Sequence, residues 1–232
     1  MSIRSWWRLV AAAGFVFGVS AGARASGAEP APRVTDGLVS GRSDSPPADG
    51  VYGRFDGDLD LSLAVGGAVV TGGSGGAAML RALFLGTTGL YVAYNDAFGK
   101  ATSAPPRSLA LGLGVRPLFL PRWGNNLDRG PAVLDLTLDA ITFDMGVVWS
   151  SDDRGRFTQR PGLELALGTE VPLLGQAWGP WAGLRGALRW RGAELSGSSD
   201  ADPVLDPVVF VTLAWHFVAN AHVVDRGDEI LR

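Results

Sequence analysis

The chain contains no cysteine, which excludes a disulfide framework, a thiolate metal site and the cysteine that anchors a bacterial lipoprotein. Lysine is almost as scarce: Lys100 is the only one, so positive charge is carried by arginine. Charged residues reach only 19%, below the roughly 25% of an ordinary soluble domain. Two histidines without any cysteine, His216 and His222, argue against a structural or catalytic zinc site, and no cofactor is expected. Long hydrophobic runs are missing as well. No stretch approaches the ~18 uninterrupted apolar residues of a membrane-spanning helix, which argues against a helical membrane protein.

Glycine is abundant instead, at 33 of 232 residues, and 47% of the chain is apolar. That balance suits a wide apolar surface over closely packed backbones. Residues 1–25 read as a signal peptide: Arg4 and Arg8 precede an apolar run from Leu9 to Val19, and Ala23-Arg24-Ala25 offers small residues for cleavage. Cleavage after Ala25 would leave 17 basic residues (20 less Arg4, Arg8 and Arg24) against 23 acidic ones, a formal charge of −6. An acidic mature chain argues against nucleic acid as a partner. Residues 26–53, rich in Pro, Gly, Ser and Asp, read as a flexible periplasmic leader.

From residue 54 the pattern changes to period two, as expected of strands whose successive side chains leave opposite faces. Leu59, Leu61, Leu63, Val65 and Val69 alternate with Asp58, Asp60, Ser62, Ala64 and Gly66. Leu109, Leu111, Leu113 and Val115 oppose Ala110, Gly112, Gly114 and Arg116; Leu163, Leu165 and Leu167 oppose Glu164, Ala166, Gly168 and Glu170. Ala182, Leu184, Leu188 and Trp190 oppose Arg185, Ala187 and Arg189, and Val209 to Phe217 alternate with Phe210, Thr212, Ala214 and His216. Gly86-Thr87-Thr88-Gly89 fits a tight turn. Ala132 to Trp149 alternates, then switches face near Ala140, which one bulged strand or two short strands would explain.

The predicted architecture is an all-β, antiparallel, up-and-down transmembrane β-barrel of eight strands. Those strands lie at about 55–70, 77–86, 89–97, 106–118, 132–149, 161–172, 180–191 and 207–218. The barrel domain spans 54–218, followed by a periplasmic tail, 219–232. Both termini would lie in the periplasm, with outer loops near 71–76, 98–105, 150–160 and 192–206. Leu120 to Pro131 would form a long periplasmic turn.

The faces opposite the leucine stripes favour a membrane barrel over a secreted, soluble, lipocalin-like binding protein. Small residues such as Ala64, Gly66, Ala110 and Gly168 have no purpose on a wet surface. They have one inside an eight-stranded barrel, whose interior is only wide enough to be filled by side chains. Asp58, Asp60, Arg116, Glu164, Glu170, Arg185 and Arg189 share those faces and would form a lumen-facing charged network. Trp123, Trp149, Trp178, Trp181 and Trp190 near strand ends would form an interfacial girdle.

With its signal peptide, its alternating strands and the final strand Val208 to Phe217, the chain resembles the small outer-membrane β-barrels of Gram-negative bacteria, including the OmpA-type and OmpW-type barrels. The resemblance covers about residues 54–218. It implies outer-membrane lipid and the barrel-assembly machinery as partners, an outer-membrane location and a monomer. The 15 residues after Phe217 depart from that class, in which an aromatic-ended final strand usually closes the chain.

Other motifs carry weaker signals. Thr71 to Ala78 resembles the glycine-rich cofactor turn of short-chain dehydrogenases, with Asp96 about 20 residues on. The preceding strand alternates, however, where a buried parallel strand would be continuously apolar, so a hairpin loop is the expectation. Asp152-Asp153 and Asp200-Ala-Asp202 read as solvated acidic loops. His216 shares a face with Thr212, but four residues along a strand span about 13 Å, too far for a nucleophile–base pair. It remains a catalytic candidate only through a partner on a neighbouring strand. Three functions stay open: a structural or surface-interaction barrel with a filled lumen, a narrow channel or small-ligand barrel, and a lipid-modifying enzyme.

Overall fold

The computed structural model describes residues 52–54, 57–98, 104–125, 127, 130–152, 154–192, 205–219 and 221. The expected signal peptide and nearly all of the leader and tail lie outside the described residues, as do Lys100, Asp153, Asp200, Asp202 and His222.

Eight antiparallel strands form a closed barrel: β1 (Leu59–Val70), β2 (Gly73–Phe84), β3 (Thr88–Asp96), β4 (Arg107–Val115), β5 (Thr142–Ser150), β6 (Gly162–Pro172), β7 (Gly179–Trp190) and β8 (Leu205–Ala219). Each strand pairs with its sequence neighbours. The ring closes where β1 meets β8, from Leu59↔Ala219 to Val70↔Val208. Closure leaves no strand edge unpaired. The strand ends joined by the β1–β2, β3–β4, β5–β6 and β7–β8 connections therefore fall at one end of the barrel, and the start of β1 and the end of β8 fall at the other.

Alternation sorts the side chains between the two faces. In β1, Ser62, Ala64 and Ala68 are buried inside, while Leu63, Val65 and Val69 are 55%, 58% and 42% exposed outside. In β8, Phe210, Thr212, Ala214 and His216 are buried, while Val211, Leu213, Trp215 and Phe217 are all about half exposed. Alanine fills much of the interior, with Ala93, Ala110, Ala166 and Ala187 all buried.

Several expected boundaries move. The glycine-rich segment is not a six-residue loop: Thr71-Gly72 makes the turn, with Gly72 at φ +80°, and β2 begins at Gly73. Gly75 shows why glycine suits that strand, since a methyl group there would collide with the carbonyl of Asp96 on β3. The next turn sits at 85–87, so Thr88 and Gly89 already belong to β3.

The largest correction concerns 132–149. Only Thr142–Ser150 is strand. Two helices precede it, α1 (Phe119–Gly124) and α2 (Ala132–Asp139), in place of the expected turn and bulged strand. Pro131 sits at the α2 N-cap with extended backbone, and Asp135 in the first turn complements the helix dipole. Six alternating residues from Leu134 to Asp139 fit either period, and that window is too short to separate them. The helical period gives the better account of burial: Asp135, Leu136, Asp139 and Ala140 are buried, while Val133 and Leu134 are exposed.

Trp181 also moves. It shares parity with Arg185 and Arg189 and is buried inside the barrel, so it belongs to no outer girdle.

Candidate functional site

A chain of ion pairs runs through the interior, built from residues on six of the eight strands and on the segment after β4. Toward the loop end, Glu164 of β6 receives Arg189 and Arg185 of β7 (Arg185 Nη2 at 2.7 Å). The hydroxyl of Tyr91, across the lumen on β3, donates to the same carboxylate at 2.9 Å. Arg189 also donates to Asn95 Oδ1 at 2.7 Å and to the hydroxyl of Ser108. The guanidinium of Arg185 lies 4.9 Å from the Tyr91 ring centre and 5.4 Å from that of Phe210.

Midway, Asp144 of β5 accepts from Arg185 at 2.8 Å and from Arg81 of β2 at 2.9 Å. Arg81 approaches Glu170 at 3.9 Å, and Glu170 meets Arg116 at 3.5 Å. Arg116 reaches Asp60 of β1 at 2.7 Å. His216 closes this lower cluster, with Nδ1 at 3.1 Å from Asp60 and Nε2 at 3.1 Å from Glu170. The Trp181 ring lies against it, 4.7 Å between centroids.

Four arginines (81, 116, 185, 189) thus face four carboxylates (60, 144, 164, 170), so the formal charges of this set cancel apart from His216. Isolated charges would be expelled from such a site, but paired and hydrogen-bonded ones persist. The glycines opposite them leave the room. A methyl group at Gly114 would fall 2.6 Å from Asp144, and one at Gly183 would fall 2.5 Å from the Thr212 hydroxyl.

The β4–β5 connection carries a second charged cluster at the termini end. Arg122 bridges Asp135 (2.7 Å) and Asp139 (2.8 Å), and Arg54 reaches Asp139 at 2.6 Å. Tyr52 Oη donates to Asp135 at 3.0 Å, although the expected boundary at 53 leaves Tyr52 in the leader. Arg54 stacks over Phe119, 4.6 Å from the ring centre. Between this cluster and the lower lumen lies a cavity of about 20 Å³, bordered by Asp60, Arg116, Phe119, Leu136 and Trp181. That is room for about one water molecule.

Of the residues singled out in the sequence, Asp60, Arg116, Glu164, Glu170, Arg185, Arg189 and His216 are brought into one network. Asp58 is buried at the rim before β1, and its carboxylate accepts from the Ala221 amide. Arg81, Asp144, Tyr91 and Asn95 were missed. Arg81 is the only charge in β2, with Met79 and Leu83 on its own face, so the apolar neighbours hid its direction. Asp144 lies between Phe143 and Met145, and its parity was readable. Asp135, Asp139, Arg122 and Arg54 depend on a helix that the alternation concealed.

The chemistry of His216 is constrained by its company. Its polar contacts among the described residues are two carboxylates, whereas a nucleophile–base pair needs a hydroxyl within about 3 Å. Among the described residues no cluster of three or more His, Asp or Glu could hold a metal ion. Asp152 caps its own loop, accepting from the amides of Arg154 (3.0 Å) and Arg156 (2.8 Å). Compared with protein-family models, curated proteins and solved structures, the chain finds no match in any of the three.

Proposed function

We propose that this chain is an outer-membrane β-barrel protein with a structural or surface-interaction role and a lumen filled by its own side chains. The observation that carries the proposal is the inversion of the two faces: arginine and carboxylate are buried, while leucine, valine and phenylalanine are exposed around the barrel. A soluble barrel of lipocalin type would turn its apolar face inward, leaving this outer surface to aggregate in water. In lipid the same surface is favourable, and a closed barrel satisfies every backbone group without an edge.

Strand lengths support the reading. The strands run from 9 to 15 residues, and about 9–11 suffice to cross the hydrocarbon at a tilt. Trp149 and Trp190 lie at the loop end, and Trp123 and Trp178 at the other, as interfacial aromatics would. The signal-peptide-like start and the absence of cysteine are consistent with export to the outer membrane of a Gram-negative cell.

The filled lumen favours a barrel without turnover or flux. Ion pairs cross it from β2 to β5, and the hydrogen bond from Tyr91 to Glu164 crosses it from β3 to β6. The test is flotation of the refolded protein with phosphatidylcholine vesicles after an alkaline wash, followed by planar-bilayer recording. Retention in the vesicles without conductance is expected. Release into the wash would overturn the membrane reading; steady conductance would replace the filled lumen with a narrow channel.

A further inference from the structure

Among the described residues, the end of the barrel opposite the hairpin loops carries an exposed apolar patch. Leu120 is 50% exposed on α1, and Val133 and Leu134 are 44% and 53% exposed on α2. Leu173, Leu174 and Trp178, in the turn between β6 and β7, are 54%, 60% and 51% exposed. These two segments are neighbours. Gly175 of the turn packs so close to α2 that a methyl group built on it would lie 3.6 Å from Val133, and Thr169 of β6 donates to the carbonyl of Thr137 at 3.1 Å.

The polarity of α2 is reversed for a helix in water. An amphipathic helix on a soluble protein buries leucine and exposes aspartate. Here Asp135 and Asp139 are turned inward and neutralised by Arg122 and Arg54, while Val133 and Leu134 face out. Burying two carboxylates costs free energy, which the arginines offset. Exposing Val133 and Leu134 to water would add a further cost, because apolar surface left in water is unfavourable. The exposure cost falls away if the outer face of the helix meets an apolar medium, where carboxylates turned inward onto arginine are also the cheaper orientation. On either side of the connection in the chain, the outward residues Val115 near the end of β4 and Phe143 near the start of β5 are 42% and 48% exposed.

We propose that the α1–α2 connection and the β6–β7 turn lie in the interfacial layer of the bilayer, with Leu120, Val133, Leu134, Leu173, Leu174 and Trp178 in contact with lipid. This rests on the membrane-barrel reading and extends it. The termini end of the barrel is embedded at the headgroup–acyl boundary, as an interfacial helix is, and does not project into the aqueous compartment. The charged cluster behind α2 then seals the lumen beneath a lipid-facing lid.

Because the chain has no native cysteine, single-site labelling is clean. The full chain carrying Leu134→Cys, Val211→Cys or Arg154→Cys would be labelled with an environment-sensitive fluorophore. All three positions are exposed, so folding is not at stake. Each variant would be reconstituted in phosphatidylcholine vesicles bearing a nitroxide high on the acyl chain, and separately challenged with aqueous iodide. The expected result is loss of fluorescence to the lipid nitroxide at 134 and 211, with quenching by iodide only at 154. Lipid quenching at 211 but iodide quenching at 134 would overturn this proposal and leave the barrel reading intact. Quenching by neither agent at 134 would also overturn it, placing a second copy or another segment of the chain over the patch. Iodide quenching at 211 without lipid quenching would sink both readings.

Discussion

The wall of the barrel and the β4–β5 connection separate charge from leucine in the same sense but by different periods. In β8 the sorting follows every second residue: Phe210, Thr212, Ala214 and His216 point in, and Val211, Leu213, Trp215 and Phe217 point out. In α2 it follows the helical repeat, with Asp135, Leu136, Asp139 and Ala140 turned in and Val133 and Leu134 turned out. Two unrelated backbone geometries thus arrive at one orientation, apolar side chains outside and paired charges inside. They differ in how deeply the charge is held. Glu164 and Asp144 are fully buried with buried partners, whereas the arginines that hold Asp135 and Asp139 keep 12–19% of their side-chain surface exposed.

That difference can be broken at graded cost. Glu164→Ala should be the most damaging, because it takes from Arg189 its carboxylate partner and leaves Arg185 and Tyr91 each a partner short. Loss of a buried ionic partner costs about 3–5 kcal/mol, read as a lowered urea midpoint for the compact, unboiled band on a gel. Next comes the outer face. Leu213→Arg, on a side chain 55% exposed in mid-strand, should cost about 2–4 kcal/mol in vesicles and leave the ion pairs untouched. In the connection, Asp139→Ala removes a carboxylate shared by two partly exposed arginines. A loss of about 1–3 kcal/mol is expected, detected by protease accessibility of 119–139 before any change in the barrel midpoint. Smallest should be Asp96→Ala at the loop end, whose partner Arg107 is 49% exposed. An exposed pair of this kind contributes about 0–1 kcal/mol. If Asp139→Ala lowered the midpoint as far as Glu164→Ala, wall and connection would have to be regarded as one cooperative unit.

The wall was largely legible in the sequence because period two imposes parity, and parity decides the face. Once Leu163, Leu165 and Leu167 are outside, Glu164 has nowhere else to go but inside. Eight strands and the closed antiparallel order followed from the same pattern. Parity also contained what was overlooked. Asp144 and Trp181 each sit on the inward register of a strand whose outward residues are apolar, and both are buried. The connection was not legible for a different reason. The run Leu134 to Asp139 alternates in sequence, and only its partners reveal it as a helix: Arg122 and Arg54 reach Asp135 and Asp139, four residues apart on one helical face. Contacts between residues 17 and 85 positions apart cannot be read from a six-residue window. The ion-pair network lies between these cases. Its members could be assigned to a common side, but their pairing depends on barrel diameter and register.

The central claim is that the outward face is built for lipid. The most direct measurement is refolding of the urea-denatured chain with and without phosphatidylcholine vesicles, followed by comparing unboiled and boiled samples on a gel. The account expects a compact, heat-sensitive band only when vesicles are present, with protein in water alone remaining unfolded or aggregated. A soluble, monomeric, fully folded barrel formed in water without lipid would contradict it.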